Sequence, residues 1–270
     1  MGRFRIGSPD YLSARPLIYG LADRRHADVD LVYAEPGELA AGLEQRKLDV
    51  ALIPSIEFLR GVGRYLIEGV GLVIRGRTGG ILLATDRPIA EIKRIAVAEN
   101  SRTPVAVLRI LLDKTHGILP DFCVFKQDID SWREDYDAIL LTGDQGLRYC
   151  QQKLHAKETC YDVGEMWCSF SPAPLILSVW AYNEERIGDY LAQTLQRSRD
   201  YGLKNLSRLT QEVSAATDYD SHFVRDYLDN GWSYHMGHDE ENALKLLEDF
   251  AVEYQLIQHR RLDKVLARQA

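Results

Sequence analysis

The sequence predicts an α/β protein with two lobes and a helical C-terminal part. Short apolar runs of strand length alternate with stretches of helical periodicity as far as residue 182. This alternation is typical of mostly parallel sheets flanked by helices. Beyond residue 182 we recognise only helical segments, and glycines separate them. A length of 270 residues suits two lobes of ordinary size.

The elements fall into two series. In the first series we expect strands at 4–8, 29–34, 49–55, 71–74 and 79–85, and helices at 14–21, 36–48 and 56–63. In the second series we expect strands at 89–100, 121–126, 136–144 and 158–163, and helices at 104–115 and 144–153. A strongly apolar strand at 174–182 then precedes helices at 184–201, 206–216, 219–229 and 239–257.

Two series of strands and helices indicate two lobes with a ligand cleft between them. We expect the chain to cross between the lobes near Thr85–Pro88 and again near Pro172–Leu175. Lobe I would then hold 1–86 and 175–270, and lobe II would hold 87–174. Both connections would serve as hinges that let the lobes close on a ligand.

Composition narrows the class of partner. Hydrophobic residues make up 46% and charged residues 27% of the chain, as in a globular protein with a proper core. The net charge of −7 argues against nucleic acid or an anionic membrane as the main partner. We find no signal peptide and no apolar run long enough to span a membrane. A small-molecule ligand and a cytoplasmic location are the expectation.

Metal binding is not expected. The four cysteines form no C-x-x-C pair, which indicates reduced thiols in a cytoplasmic protein. His235 and His238 are three residues apart, but we interpret them as surface residues before a helix. The chain also lacks G-x-G-x-x-G, Walker and G-x-S-x-G motifs, which argues against nucleotide chemistry and a hydrolase.

Four turns at strand ends carry the polar residues that could bind a ligand. They span 8–17, 53–58, 99–104 and 142–146, with two turns in each expected lobe. Ligands of open α/β sheets lie beyond the carboxyl ends of the strands, so a shared cleft would gather all four turns.

The turn at Ser101–Thr103 is the clearest candidate for an anion site. An apolar, strand-like run (95–100) stops there and a helix begins at once. We expect Thr103 to cap the helix and Pro104 to take its first position. The N–H groups of Val105 and Ala106 would then be free to hold a carboxylate or phosphate. The alternative is a turn that only starts a helix.

The other turns also allow two interpretations each. Arg15, which follows Ser13, could pair with a carboxylate or form a structural ion pair. Ser55 could face a ligand or cap the next helix. Asp144 could be a helix N-cap, or a ligand contact and proton acceptor. Gly79–Gly80 could let the backbone approach a ligand closely or form a bulge.

Taken together and in order, these turns resemble the MqnA/MqnD family of the futalosine route to menaquinone. The motifs are closer to those of MqnA, chorismate dehydratase, than to those of MqnD. The resemblance is carried by Y-L-S-A-R-P-L (11–17), L-D-V-A-L-I-P-S-I-E-F-L (48–59), N-S-R-T (100–103), T-G-D (142–144) and V-W-A (179–181). The I-P-S-I-E and S-R-T motifs are specific in combination, whereas each alone is weak.

The resemblance implies a fold like that of type II periplasmic binding proteins, used inside the cell as an enzyme. Family members remove water from chorismate to give 3-[(1-carboxyvinyl)oxy]benzoate without a metal or organic cofactor. The family's polar catalytic positions correspond to Ser13 and Gly80. The substrate-binding positions that the resemblance implies are Arg15, Ser55, Ile56, Gly79, Ser101, Arg102, Thr103, Val105 and Asp144.

The chain departs from the family pattern at both catalytic positions. Ser13 stands where the family has Asn, and Gly80 stands where it has Ser. Pro104 also replaces a residue that could donate. Loss of two donors to developing charge costs about a hundredfold in rate for each. Three hypotheses follow: a chorismate dehydratase, a protein that binds an aromatic or enolpyruvyl carboxylate without turnover, and an MqnD-like lyase.

Overall fold

The computed structural model describes residues 3–22, 28–126, 129–152 and 159–266. In this part of the chain one six-stranded sheet contains, in spatial order, β11 (Trp232–Met236), β4 (Tyr65–Ile74), β10 (Leu175–Tyr182), β3 (Val50–Pro54), β1 (Phe4–Ser8) and β2 (Val29–Tyr33). β1 is parallel to β2 and β3, whereas β10 is antiparallel to β3 and β4. β3 is buried along its whole length, which explains its continuous apolar sequence.

A second sheet of five strands contains, in spatial order, β7 (Asp121–Val124), β6 (Arg94–Val97), β8 (Ala138–Leu141), β5 (Leu82–Thr85) and β9 (Thr159–Asp162). β6 is parallel to β7 and β8, and β5 is antiparallel to β8 and β9. Residues 153 and 158, which end one predicted helix and begin one predicted strand, lie outside the described residues.

Helices surround both sheets. In the described residues the α-helices are α1 (Arg15–Ala22), α2 (Pro36–Glu44), α3 (Ser55–Arg60), α4 (Arg102–His116), α5 (Gly143–Gln152), α6 (Val163–Phe170), α7 (Gly188–Lys204), α8 (Leu206–Ala216), α9 (Ser221–Asp229), α10 (His238–Glu253) and α11 (Leu262–Leu266). Short 3-10 turns occupy Leu12–Ala14, Ile89–Glu91, Ile129–Glu134 and Glu185–Ile187. None of these helices combines the length and the apolar character that crossing a bilayer requires.

The chain passes between the two sheets through 75–81 and through 163–174. The expectation that the strand at 79–85 belongs to lobe I is wrong, because β5 pairs with β8 and β9 of the second sheet. Two consecutive apolar strands look alike in sequence whichever sheet they join. The glycine-containing stretch between Ile74 and Leu82, rather than Thr85–Pro88, therefore forms the first passage.

The C-terminal part is not purely helical. β11 lies between α9 and α10 and pairs with the outer edge of β4, which itself begins at Tyr65 rather than at residue 71. Trp232, Tyr234 and Met236 are buried and alternate with less buried Ser233 and His235. This period of two is typical of a strand and could have been recognised in the sequence.

One buried apolar core continues from the first sheet into the second and includes Ile53, Val97 and Trp167. A smaller cluster in the second sheet contains Trp132 and Tyr149. The larger core joins both sheets, so the ends of β3, β6 and β8 lie near one another. The turns that follow these strands meet at one cleft.

Candidate active site

A cleft lies between the carboxyl ends of strands from both sheets and encloses about 600 Å³ of empty space, including its opening to solvent. Apolar side chains of the first sheet form its floor. The cleft is lined by Pro9, Tyr11, Ser13, Pro36, Leu52, Pro54, Leu72, Gly80, Ile81, Asn100, Ser101, Arg102, Thr103, Pro104, Thr142, Gly143, Leu177, Ser178, Tyr227 and Trp232.

Two polar walls face each other across this floor. We call Asn100–Pro104 with Thr142 and Gly143 the helix wall, because it contains the start of α4. We call Ser13, Gly80, Tyr227 and Trp232 the tyrosine wall. The helix wall belongs to the second sheet, whereas the tyrosine wall is built from distant parts of the sequence.

The helix wall differs in detail from the prediction. Ser101, not Thr103, is the N-cap of α4, and Pro104 is its third residue. The Ser101 hydroxyl is hydrogen-bonded to the Thr142 hydroxyl at 2.9 Å. The Thr103 hydroxyl accepts a bond of 3.4 Å from the Ile56 N–H, which ties the wall to the start of α3.

The free donors of this helix are also not the expected ones. The Val105 N–H donates to the Ser101 carbonyl at 3.1 Å, and the Arg102 N–H donates to the Asn100 carbonyl at 2.9 Å. Pro104 has no N–H. Within the described residues, the Thr103 N–H is the donor of this first turn that has no acceptor. The cleft-lining Arg102 adds a guanidinium, and its Nε lies 3.9 Å from Glu57 Oε1.

The tyrosine wall brings Ser13 and Gly80 against a side chain that the sequence analysis missed. Ser13 and Tyr227, which belongs to α9, line this wall together, and the Ser13 side chain acts to lower the pKa of Tyr227. A Cβ built on Gly80 would lie 3.0 Å from the Tyr227 hydroxyl oxygen and 3.4 Å from the Gly143 carbonyl oxygen. The Tyr227 hydroxyl therefore occupies the space beside Gly80 that a larger residue at position 80 would need.

Burial is the main influence on the ionisation of Tyr227. Loss of solvent raises the pKa of Tyr227 well above its usual value, and the negative charge of Asp144 acts in the same direction. The polar side chain of Ser13 acts against this rise in the pKa but does not cancel it. Tyr227 is therefore neutral, and able to donate a hydrogen bond, throughout the physiological pH range.

No sequence pattern indicated that Tyr227 lines the cleft. It lies on the buried face of α9 with Val224 and Leu228, where an aromatic residue is ordinarily part of the core. Trp232 stands edge-on to it, with 5.9 Å between the ring centroids. The alternation of β11 could have placed Trp232 on the inner face, but only the fold brings that face to the cleft.

Asp144 joins the two walls without lining the main cleft. Its Oδ1 accepts a 3.0 Å hydrogen bond from the Leu12 N–H, next to Ser13. Burial raises the pKa of Asp144, although the Leu12 N–H and the charges of Arg15 and Arg148 oppose the rise. Asp144 lines an adjoining space near the mouth together with Tyr11, whose hydroxyl donates to Glu35.

Five other predicted contacts lie outside the cleft lining. Arg15 forms an ion pair of 3.0 Å with Asp10. The Ile56 N–H donates to the Thr103 hydroxyl, and the Val105 N–H donates to the Ser101 carbonyl. Ser55 is fully buried, and its hydroxyl has no hydrogen-bond partner in the described part of the chain. Gly79, with φ of 67°, donates its N–H to Asp162 at 2.7 Å.

Asp162 holds the passage that carries Gly80. Its carboxylate accepts hydrogen bonds from the Thr78 N–H and hydroxyl, the Gly79 N–H, and the Gly164 and Glu165 N–H groups at the start of α6. The Thr78 hydroxyl in turn accepts the Gly80 N–H at 3.3 Å. The position of Gly80 is therefore fixed through a buried carboxylate.

Solved structures show the fold of this chain. Protein AF1704 from Archaeoglobus fulgidus matches with a TM-score of 0.75 and 18% identity, over 94% of this chain and 98% of that one. The alkanesulfonate-binding protein SsuA from Xanthomonas axonopodis pv. citri, bound to MOPS, matches with a TM-score of 0.70 and 16% identity, over 97% and 96% of the two chains. Matches to the periplasmic aliphatic sulphonate binding protein SsuA from Escherichia coli and to a Candida albicans protein with the generic periplasmic binding protein fold confirm the predicted fold.

Sequence comparison shows the family. The chorismate dehydratase of Thermus thermophilus is 25% identical over 260 residues, which cover 91% of this chain and 94% of that protein. A family model described as menaquinone biosynthesis matches residues 4–253. The match covers both sheets and both walls of the cleft, and it confirms the predicted family. The chain therefore belongs to the menaquinone biosynthesis family, to which MqnA belongs.

Proposed function

We propose that this protein removes water from chorismate to give 3-[(1-carboxyvinyl)oxy]benzoate, in a cleft that closes between two lobes built on the two sheets. The observation that carries the proposal is the meeting of Ser13, Gly80 and Ser101–Thr103 in one cleft, although they are far apart in the sequence. Ser101–Thr103 matches the motif by which the chain resembles MqnA, whereas Ser13 and Gly80 occupy the family's catalytic positions with a different residue at each. The likeness to the Thermus chorismate dehydratase supports the same reaction.

The helix wall provides a binding site for a carboxylate of the substrate. The Thr103 N–H lies in the first turn of α4, where the helix dipole favours a negative charge. The cleft-lining Arg102 guanidinium can pair with the same carboxylate through charge-assisted hydrogen bonds. The apolar floor formed by Leu52, Leu72 and Leu177 suits the ring of the substrate.

Dehydration of chorismate suits such a site, because it requires no change of oxidation state. Loss of water makes the ring aromatic, so the stability of the product drives the reaction. The protein then has to orient the acid, exclude water and assist the departure of the hydroxyl.

The test is incubation of the purified protein with chorismate, followed by chromatography. We expect the product to accumulate in proportion to protein concentration. An Arg102→Ala variant assayed in parallel should need a higher chorismate concentration for the same rate. Absence of product at high protein concentration would contradict the proposal.

A binding protein without turnover is the second candidate. The departures at Ser13 and Gly80 favour it, because Ser13 lacks the amide and Gly80 lacks the hydroxyl that the family resemblance places at the substrate. This candidate predicts that chorismate or its product binds to the purified protein, measured by calorimetry, while no conversion occurs. Reintroducing Asn at position 13 and Ser at position 80 then gives no activity. Conversion by the wild-type protein would exclude it.

A further inference from the structure

The floor of the cleft carries a polar side chain that neither the sequence motifs nor the proposed function uses, Ser178 of β10. The other floor residues on strands of the first sheet are apolar: Leu52, Pro54, Leu72 and Leu177. Ser178 is only partly buried. Within the described residues its hydroxyl has no hydrogen-bond partner, and it is not one of the enclosed hydroxyls, so a ligand in the cleft can reach it.

An irregularity in β10 explains why Ser178 faces the cleft. Successive side chains of a regular strand point to opposite faces of a sheet, yet Leu177 and its neighbour Ser178 both line the cleft. Ile176 and Ser178 are two residues apart in β10 but lie opposite consecutive residues of β4. Leu177 is therefore the extra residue of a β-bulge. Bulges of this kind are frequent beside binding sites, where they change the direction of a side chain.

Ser178 lies in the middle of the floor. It is paired with Pro54 of β3 on one side and with Leu72 of β4 on the other, and both of these residues line the cleft. The floor belongs to the first sheet, whereas the helix wall belongs to the second sheet. A ligand whose one end is held at the helix wall therefore extends over the Ser178 hydroxyl.

Positive charge is scarce in the cleft. Among the lining residues that the structure describes, Arg102 is the one with a cationic side chain. Chorismate and its product each have two carboxylates, and two negative charges at the first turn of α4 would repel each other. The second carboxylate therefore has to be bound by uncharged donors elsewhere in the lining, and a serine hydroxyl is such a donor.

We propose that Ser178 donates a hydrogen bond to the second carboxylate of the ligand while the helix wall holds the first. Ser178 is then a binding residue that makes the cleft selective for dicarboxylates, and it takes no part in breaking bonds. The inference rests on the proposed function for the identity of the ligand alone, because the bulge and the unpartnered hydroxyl belong to the structure whatever the reaction is.

The test measures by calorimetry the binding of two stable probes, 3-(carboxymethoxy)benzoate and 3-methoxybenzoate, which differ by one carboxylate. We expect the wild-type protein to bind the dicarboxylate at least about tenfold more tightly, because hydrogen bonds to charged groups are among the stronger ones. Ser178→Ala should reduce this preference to less than about threefold by weakening the binding of the dicarboxylate alone. Ser178→Thr, which keeps a hydroxyl, should retain the preference.

Ser233→Ala is the matched control in the same sheet. Ser233 lies on β11 but not in the cleft lining, and its hydroxyl accepts the His235 N–H at 3.5 Å. Both probes should bind to this variant as they bind to the wild-type protein. Equal weakening of both probes in Ser178→Ala would indicate a packing role of Ser178 and would overturn the proposal.

The outcomes distinguish this inference from the proposed function. If the wild-type protein converts chorismate and Ser178→Ala keeps the preference for the dicarboxylate, the role of Ser178 is overturned while the proposed function stands. If the wild-type protein converts no chorismate but has a preference that Ser178→Ala abolishes, the dehydration is overturned while the dicarboxylate site stands. A wild-type protein that binds neither probe, or binds both equally, overturns the inference.

Discussion

The two walls of the cleft differ in how they are built. The helix wall consists of two short stretches, Asn100–Pro104 and Thr142–Gly143, and its hydrogen bonds are mostly local, with Ile56 as an additional partner. The tyrosine wall combines Ser13 after β1, Gly80 in a passage between the sheets, and Tyr227 from α9. A local motif can thus specify the helix wall, whereas the wall opposite it depends on long-range packing.

The largest effect is expected where the tyrosine wall is anchored. Asp162→Ala removes the acceptor for five donor groups, most of them buried, and should lower the free energy of unfolding by about 3–5 kcal/mol. Urea denaturation followed by circular dichroism measures it. The exposed Asp30, changed to Ala, should alter stability by less than about 0.5 kcal/mol.

A small loss in the Asp162→Ala protein would mean that Thr78 and Gly79 find other partners. It would also mean that the passage, and with it Gly80, is held by the packing of the adjacent strands. The contrast between a locally built wall and a remotely anchored wall would then disappear.

A smaller effect is expected from the helix wall. Arg102→Ala removes the cleft-lining guanidinium and should weaken binding of the product about tenfold to a hundredfold, while kcat changes less. Arg109→Ala is the matched control on the same helix, because Arg109 packs over Phe122 away from the cleft. Unchanged affinity in Arg102→Ala, measured by calorimetry, would place the carboxylate elsewhere.

The smallest effect is expected at Asp144, which connects the walls. Burial raises its pKa, so the folded protein holds this proton more tightly than the unfolded chain does. The contribution of Asp144 to stability is therefore full below the unfolded-state pKa of about 3.9 and decreases as the pH rises towards the folded value. Asp144→Asn keeps an acceptor for the Leu12 N–H but has no charge to desolvate.

The expected result is that the stability of Asp144→Asn relative to the wild-type protein is greater at pH 7 than at pH 4. Thermal unfolding of both proteins across this range measures the difference. A relative stability that instead grows as the pH falls would show that the Leu12 N–H and the nearby arginines dominate over burial. Asp144→Ala, which also lacks the acceptor, should be the less stable variant at every pH.

Sequence patterns predicted most elements, but not how the strands are grouped. The run at 49–55 was predicted as a strand, and β3 is buried as its apolar sequence requires. The run at 79–85 was also predicted as a strand, but its sheet was assigned incorrectly, because hydrophobic pattern does not specify pairing partners. β11 was missed, although the residues that alternate between buried and less buried positions form a period-two pattern that is visible in the sequence.

The site was also predicted only in part, because local sequence order does not specify contacts between distant residues. Ser101, Arg102 and Thr103 follow a strand and precede a helix, so their place at a cleft follows from local order. Local order did not show which backbone N–H groups of that turn are free. The N-cap is Ser101, and the Thr103 hydroxyl accepts a hydrogen bond from the Ile56 N–H. The place of Tyr227 at the cleft could not be predicted from any sequence pattern.

The sequence by itself determined the alternation of strands and helices, the helix start after Asn100 and the membership of the family, because these depend on residues close together in the chain. The tertiary structure alone decided that β5 joins the second sheet and that the hydroxyl of Tyr227 fills the space left by Gly80. Both depend on contacts between residues far apart in sequence, whose energies arise only once the chain has packed.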